Sequence, residues 1–278
     1  MFSHLAVGLD GSVNAESALE LGIHLGRRLG SVVHGIHVID SAILEGSFIA
    51  DVSGAMGVEP LVNLTPQVGS VLSELADTLR IHFEERARDV GLNARFHLAR
   101  GSVAPSLVQE SASCAVLIVG RRGVNARFHG ELLGPVTERL LRISSIPVMV
   151  APEDGGGVSR ILLAYDGGAH ASRALRWGGE LARALATPVT VVSVDDDEDH
   201  GEELLGEARD YLRPLDLDVE TRRASGRPSD AIELLLGETG ADLVCMGSNS
   251  HSKLVQMVIG STTEAILRRL NVPVMCVP

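Results

Sequence analysis

One lysine, Lys253, in 278 residues sets the first exclusion. The chain has no GxxxxGK[ST] phosphate loop, and phosphoryl transfer through a lysine clamp has a single candidate to draw on. Aromatic residues make up only 3% of a chain that is 45% apolar, so its cores are filled by Ala, Val, Leu and Ile, the palette of buried parallel sheets. Cys114, Cys245 and Cys276 lie in apolar strand-like runs without a CxxC pair. That argues against a disulfide framework and for small buried hydrophobes in a reducing compartment. No run approaches ~18 consecutive apolar residues, and the leading MFSHLAVGLDGS has neither a basic segment nor a cleavage site. Membrane insertion and export are therefore not expected, and a soluble cytoplasmic protein is.

A basic patch is missing as well. The net charge is -12, and the excess of acid lies mainly after residue 153, much of it in the run Asp195-Asp196-Asp197-Glu198-Asp199. Acids adjacent in sequence do not converge on one ion, so this run reads as a solvated loop between a strand and a helix rather than a metal site. Neither half has the positive surface that gripping nucleic acid requires.

What the chain does contain is a repeat. Ser3–Gly30 aligns with Ser159–Ala186 at an offset of 156, placing Asp10 on Asp166, and Gly134–Pro152 aligns with Gly260–Pro278 at an offset of 126. The change in offset locates an insertion of 30 residues in the first copy, at about 41–68. It could be a lid, a packing arm or a surface elaboration. The units expected are 1–152 and 159–278, joined by an acidic, glycine-rich linker at 153–158.

Each unit alternates short β-branched runs with longer helical patterns, the mark of βαβ units and a parallel sheet. Strands are expected near 4–9, 32–39, 94–99, 115–120 and 147–151, then 160–165, 189–194, 218–223, 242–247 and 273–277. Helices are expected near 13–29, 70–90, 103–112 and 135–143, then 169–185, 202–212, 229–237 and 261–270.

In an open parallel sheet, ligands bind outside the carboxyl ends of the strands, where the connections diverge. The first strand of each copy ends in Asp10-Gly11-Ser12 or Asp166-Gly167-Gly168. This places a carboxylate at the sheet edge beside small residues that let a helix start nearby; the Asp can equally be the cap of that helix. In the second copy the fourth strand runs into Gly247-Ser248-Asn249-Ser250-His251-Ser252-Lys253, and Gly260-Ser261-Thr262-Thr263-Glu264 opens the last helix. Small residues let backbone N–H groups approach an anion, and the helix start adds unpaired donors. Ser261 and Glu264 also have the spacing of a capping box, a purely structural use that still leaves the hydroxyls of Thr262 and Thr263.

This set of residues resembles the universal stress protein family in its tandem two-domain form. The resemblance spans both units apart from the insertion and linker. It rests on the first-strand end and on a loop of the form G-x2-G-x9-G-[ST]. It implies two tandem open parallel five-stranded α/β sheets with helices on both faces, Rossmann-like and similar to the adenine nucleotide alpha hydrolases. It also implies ATP, with Mg2+, as ligand. In the second copy Gly247, Gly260 and Ser261 match the loop, while Ser250 stands where the family has glycine. By the same resemblance Ala164, Tyr165 and Asp166 line the ribose, the main chain of Val194 reads the adenine, and Met246 packs nearby.

The first copy has Asp10 and Val38 at matching positions and keeps Gly120 and Gly123. Ten residues rather than nine then precede Gly134, and Pro135 replaces the serine. Proline suits the first helical position but has no N–H. The missing donors amount to about 1–3 kcal/mol, unless Arg121, Arg122 or Arg127 supplies charge-assisted bonds. Weaker or absent nucleotide binding in the first unit is expected.

No SGGxDS loop, HxGH signature or GxSxG elbow occurs. His251 is the one acid/base candidate near the loop, with a phosphate-contact or surface role as the alternative. An ATP-binding stress or regulatory module is thus the leading reading. A nucleotide-free scaffold of the same fold, or a slow ATPase or autophosphorylating protein using Asp166 or His251, are the alternatives. The Val-rich last strands, PVMVAP and PVMCVP, form edges of a kind that demands a partner, and the resemblance implies that they pair the two units with each other. Further association into a homodimer, through the insertion, is left open.

Overall fold

The computed structural model describes residues 1–41, 64–124, 133–154, 156–248 and 259–278. The first half contains β1 (His4–Gly8), α1 (Val13–Leu29), β2 (Val32–Asp40), α2 (Leu64–Asp89), β3 (Ala94–Gly101), α3 (Val103–Ser111), β4 (Val116–Gly120), α4 (Pro135–Ile143) and β5 (Val148–Ala151). The second contains β6 (Ile161–Ala164), α5 (Ala169–Leu185), β7 (Val189–Val194), α6 (Glu198–Leu212), β8 (Val219–Ala224), α7 (Pro228–Thr239), β9 (Leu243–Gly247), α8 (Ser261–Arg269) and β10 (Val274–Val277).

Strands pair in the order β3-β2-β1-β4-β5-β10-β9-β6-β7-β8. Each half is parallel within itself, and the halves meet where β5 and β10 run antiparallel, Met149 opposite Met275. The two last strands thus cover each other's edges, and the two five-stranded sheets become one of ten strands.

Alternation along each strand divides the core into two layers. Leu5 and Val7 of β1 face α1 and α2 with Leu19 and Phe83, and Ile161 and Leu163 of β6 face α5 and α6 on the same side. Ala6 and Leu117 point the other way, to Leu107 and Leu140 of α3 and α4; Leu162 and Val244 do the same toward Ile232 and Ile266 of α7 and α8. All three cysteines are free and buried. Burial pushes each thiol up, Cys276 to about 12, so none is a ready nucleophile.

Two helices begin earlier than their periodicity suggests. α2 starts at Leu64, with Pro66 in its first turn where no N–H is needed. α6 starts at Glu198, because the Asp197 side chain accepts the amide of His200 and caps it. The acidic run is therefore a helix start: Asp195 accepts the amide of Asp197, and Asp196 accepts that of Gly226. Among the described residues no group of three or more His, Cys, Asp or Glu is placed to hold a metal ion, and no helix is long and apolar enough to cross a membrane. The inserted segment, except for Ser41 and the start of α2, lies outside the described residues.

Candidate functional site

In the second half the strand order reverses between β6 and β9, with β7 and β8 on one side and β10 on the other. Sheets of this kind open a crevice at such a point, at the carboxyl ends of the strands. A cleft of about 130 Å3 lies there. Ala164, Tyr165 and Asp166 enter it from the end of β6, Val194 from β7, and Met246 and Gly247 from β9. Gly260, Thr262 and Thr263 enter from the start of α8. Ser261 sits among them in sequence but is exposed on the first turn and does not line the cleft. Ser250 and His251 lie outside the described residues.

Four lining residues carry no motif: Ala171, Val192, Pro228 and Ile232. Val192 is two residues before Val194 and so shares its face of the sheet, a signal that period-2 alternation contains. The others are ordinary apolar residues, brought in only by the packing of α5 and α7.

The glycine at 247 is required by closeness. A Cβ there would fall 2.7 Å from the Cβ of His170 and 3.0 Å from its carbonyl carbon, so the end of β9 can lie against the start of α5 only without a side chain. The Thr263 hydroxyl donates to the Gly247 carbonyl at 3.3 Å, tying the β9 end to α8. The Gly260 amide donates to Ser248 O at 3.4 Å, so that donor is already engaged.

The capping-box reading of Ser261 and Glu264 is corrected. The N-cap is Gly260, Ser261 is the first helical residue, and no side chain caps the turn. Glu264 instead pairs with Arg268. The amides of Ser261, Thr262 and Thr263 meet no acceptor among the described residues, as a first helical turn leaves them. Asp166, an exposed residue, accepts the amide of Gly168 at 3.0 Å, so it shapes the turn while Gly168 takes the N-cap position. Tyr165 is buried and donates to Glu207 Oε2 at 3.2 Å. Burial first, then the Glu207 and Asp166 carboxylates, raise its pKa and keep it a neutral phenol.

The corresponding region of the first half keeps the glycine-amide and threonine bonds but differs at its aspartate and at the first residue of its helix. Asp10 accepts the amide of Ser12 with one oxygen, at 2.9 Å, and the amide of Val124 with the other, at 3.2 Å. A Cβ on Gly123 would lie 2.7 Å from Asp10 Oδ2, so the β4 loop rests directly on this carboxylate. The Gly134 amide donates to Arg121 O at 3.0 Å, Pro135 follows at the first turn of α4, and the Thr137 hydroxyl donates to Gly120 O at 2.9 Å. Val38 is buried in the core under α3 and α4.

The arginines of this loop are committed elsewhere. Arg122 pairs with Glu153. The guanidinium of Arg121 crosses to the other half and donates to Leu270 O, and to Arg268 O at 3.4 Å. Burial, then the Arg122 charge, lower its pKa. Arg127 lies outside the described residues. Arg121 is thus turned toward the other half and Arg122 toward the 153–158 linker.

With the geometry in place, comparison with known proteins gives a consistent result. The sequence profile of the "Universal stress protein family" matches residues 1–152 and 157–278. The chain is 26% identical over 280 residues to Universal stress protein Slr1230 of Synechocystis sp., covering 96% of each. It is 30% identical over 206 residues to a universal stress protein of Mycolicibacterium smegmatis, covering 67% of this chain and 69% of that one. The crystal structure of a universal stress protein from Archaeoglobus fulgidus DSM 4304 superposes with a TM-score of 0.78 at 22% identity, covering 99% of this chain and 98% of the other, a likeness of fold.

Proposed function

The chain belongs to the universal stress protein family, and from that premise we propose that it binds one adenine nucleotide, ATP with Mg2+, in the second half, as a regulatory rather than a metabolic protein. The observation that carries the reading is the convergence of three things in one cleft: the turn at Asp166, the side-chain-free end of β9 at Gly247, and an uncapped first turn of α8. Apolar walls from Val192, Val194, Ile232 and Met246 suit a base. The open amides of Ser261, Thr262 and Thr263 and the partial positive charge of the helix start suit phosphate. At about 130 Å3 the enclosed part is below the roughly 300–1,000 Å3 of small-molecule sites, so it takes the nucleoside end and leaves the phosphates at the mouth beside α8.

The residues present fit the ligand in donors and shape. ATP supplies its own phosphate oxygens to Mg2+, and Ser261, first on the helix and exposed, is placed to offer a hydroxyl. A second nucleotide in the first half is disfavoured: Val124 and Gly123 occupy the Asp10 carboxylate, and Pro135 has no amide to give. The chain divides, in this reading, into a silent first unit at 1–152 and a binding second unit at 159–278, joined by the 153–158 linker. A cytoplasmic place fits a ligand of this class.

Ser261→Pro tests the reading, because it gives the second half the Gly-Pro step of the first. Proline at the first helical position keeps α8 while removing one amide and one hydroxyl. The expected loss is about tenfold in ATP affinity, from about 1–2 kcal/mol of hydrogen bonding. Wild-type affinity in a folded Ser261→Pro protein refutes the cradle, and no binding by the wild-type chain leaves the scaffold reading.

A further inference from the structure

In the first half, the described residues on either side of the β4–α4 connection are tied down. Gly134 donates to Arg121 O, Thr137 to Gly120 O, and Arg122 pairs with Glu153. From there the Arg121 side chain reaches across the sheet junction to the carbonyls of Arg268 and Leu270. These carbonyls close the carboxyl end of α8, whose C-cap is Leu270. Its opposite end, about 13 Å away at 1.5 Å per residue, is the turn that places Thr262 and Thr263 in the cleft. The last carbonyls of a helix lack intrahelical partners, and the helix dipole favours a cation beside them.

The brace runs in one direction. The position matching Arg121 in the second half is Ser248, directly after Gly247. Its side chain is buried, and its hydroxyl meets no partner among the described residues. A serine is also too short to cross to the other half. The first half therefore holds α8 through Arg121, and Ser248 returns nothing equivalent.

We propose that Arg121 is a positioning residue for the second-half cleft: by bonding the carboxyl end of α8 it sets the helix on which the Thr262–Thr263 turn sits, so that the first half acts as a built-in effector of ligand binding by the second. This rests on the nucleotide reading above for the ligand, but not for the mechanical coupling.

The test uses the full chain at a temperature where every variant is folded. Arg121→Ala and Arg121→Lys are compared with Arg28→Ala, which removes a different interdomain contact, that of Arg28 with the carbonyls of Val158 and Leu185. Amide hydrogen exchange of α8 is read without ligand, and MgATP affinity by calorimetry. Arg121→Ala is expected to speed exchange in α8 several-fold and to weaken MgATP by 3–10-fold. Arg121→Lys should recover part of both, and Arg28→Ala should leave both as in the wild type. Unchanged exchange in Arg121→Ala, equal change in Arg28→Ala, or faster exchange with unaltered MgATP affinity each overturns the proposal. If the wild-type chain binds no MgATP, the nucleotide reading falls, and the exchange comparison still decides whether Arg121 positions α8.

Discussion

Thr263 donates its hydroxyl hydrogen to the carbonyl of Gly247 at 3.3 Å, and together with the Gly260 amide bond to Ser248 O it joins the end of β9 to the start of α8 beside the candidate cleft. Thr137 and Gly120 make the same bond at 2.9 Å in the first half, whose helix α4 opens with Pro135. Thr263→Val and Thr137→Val should therefore each cost about 1 kcal/mol of stability, read from urea unfolding. Only Thr263→Val should weaken ATP. Equal effects on ATP from the two would contradict the assignment of the site to one half.

The paired aspartates should separate in the same way. Asp10 is half-buried and engaged by the amides of Ser12 and Val124, so Asp10→Ala should lower stability by about 1–2 kcal/mol and leave ATP affinity unchanged. Asp166 is exposed, and Asp166→Ala should mainly reduce ATP affinity. Calorimetric titration of both variants checks the pair, and a loss of ATP binding in Asp10→Ala contradicts it.

Three imidazoles form a row on the first half of the sheet. His4 Nδ1 lies 3.0 Å from His34 Nε2, and His34 Nδ1 lies 2.8 Å from His97 Nε2. His97 Nδ1 is 4.0 Å from Glu110 of α3, and Arg95 is near on β3. Burial, then His97, His4 and Arg95, lower the pKa of His34. A histidine depressed in the folded state binds its proton first in the unfolded chain. Stability should therefore fall as pH drops through about 6.5, and level off below the folded value. His24 is depressed too, by burial and then Arg28, and adds in the same sense. His34→Thr copies Thr190, its counterpart in the second half, and should flatten the fall between pH 8 and pH 5.5 in part; an unchanged slope in urea midpoints contradicts the row's role.

The sole tryptophan reports on the junction of the halves. Phe2 and Trp177 meet edge to face with ring centroids 5.8 Å apart. Phe2→Ala should shift Trp177 emission to the red and cost about 3 kcal/mol. Unmoved emission would mean this contact is not formed in solution.

Much of the fold was legible because it repeats. Asp10 on Asp166, at a constant offset, places two first strands and two first helices, and the Val-rich runs at 147–151 and 273–277 are found as β5 and β10. Their edges demanded a partner, the resemblance to the family named each as the other's, and Met149 opposite Met275 supplies the pairing. The start of α6 was missed because the acidic run has no apolar period, although Asp197 is a good cap.

At the cleft, the motif residues after β6 and β9 were readable from strand-end logic, while Pro228 and Ile232 were not, since apolar residues of α7 announce nothing about what they face. The S-x-x-E spacing misled by one residue: a capping box and an uncapped turn starting at Ser261 have the same letters, and only the backbone angles of Gly260 separate them. Arg121 was beyond sequence reading, because its partners, the carbonyls of Arg268 and Leu270, are 147 and 149 residues away and meet it only through the antiparallel junction.

The most direct measurement of the account is native mass spectrometry of the full chain equilibrated with MgATP. It predicts a single added nucleotide per chain, retained in Asp10→Ala and reduced in Ser261→Pro. Two nucleotides per chain, or one that persists in Ser261→Pro and disappears in Asp10→Ala, would contradict it.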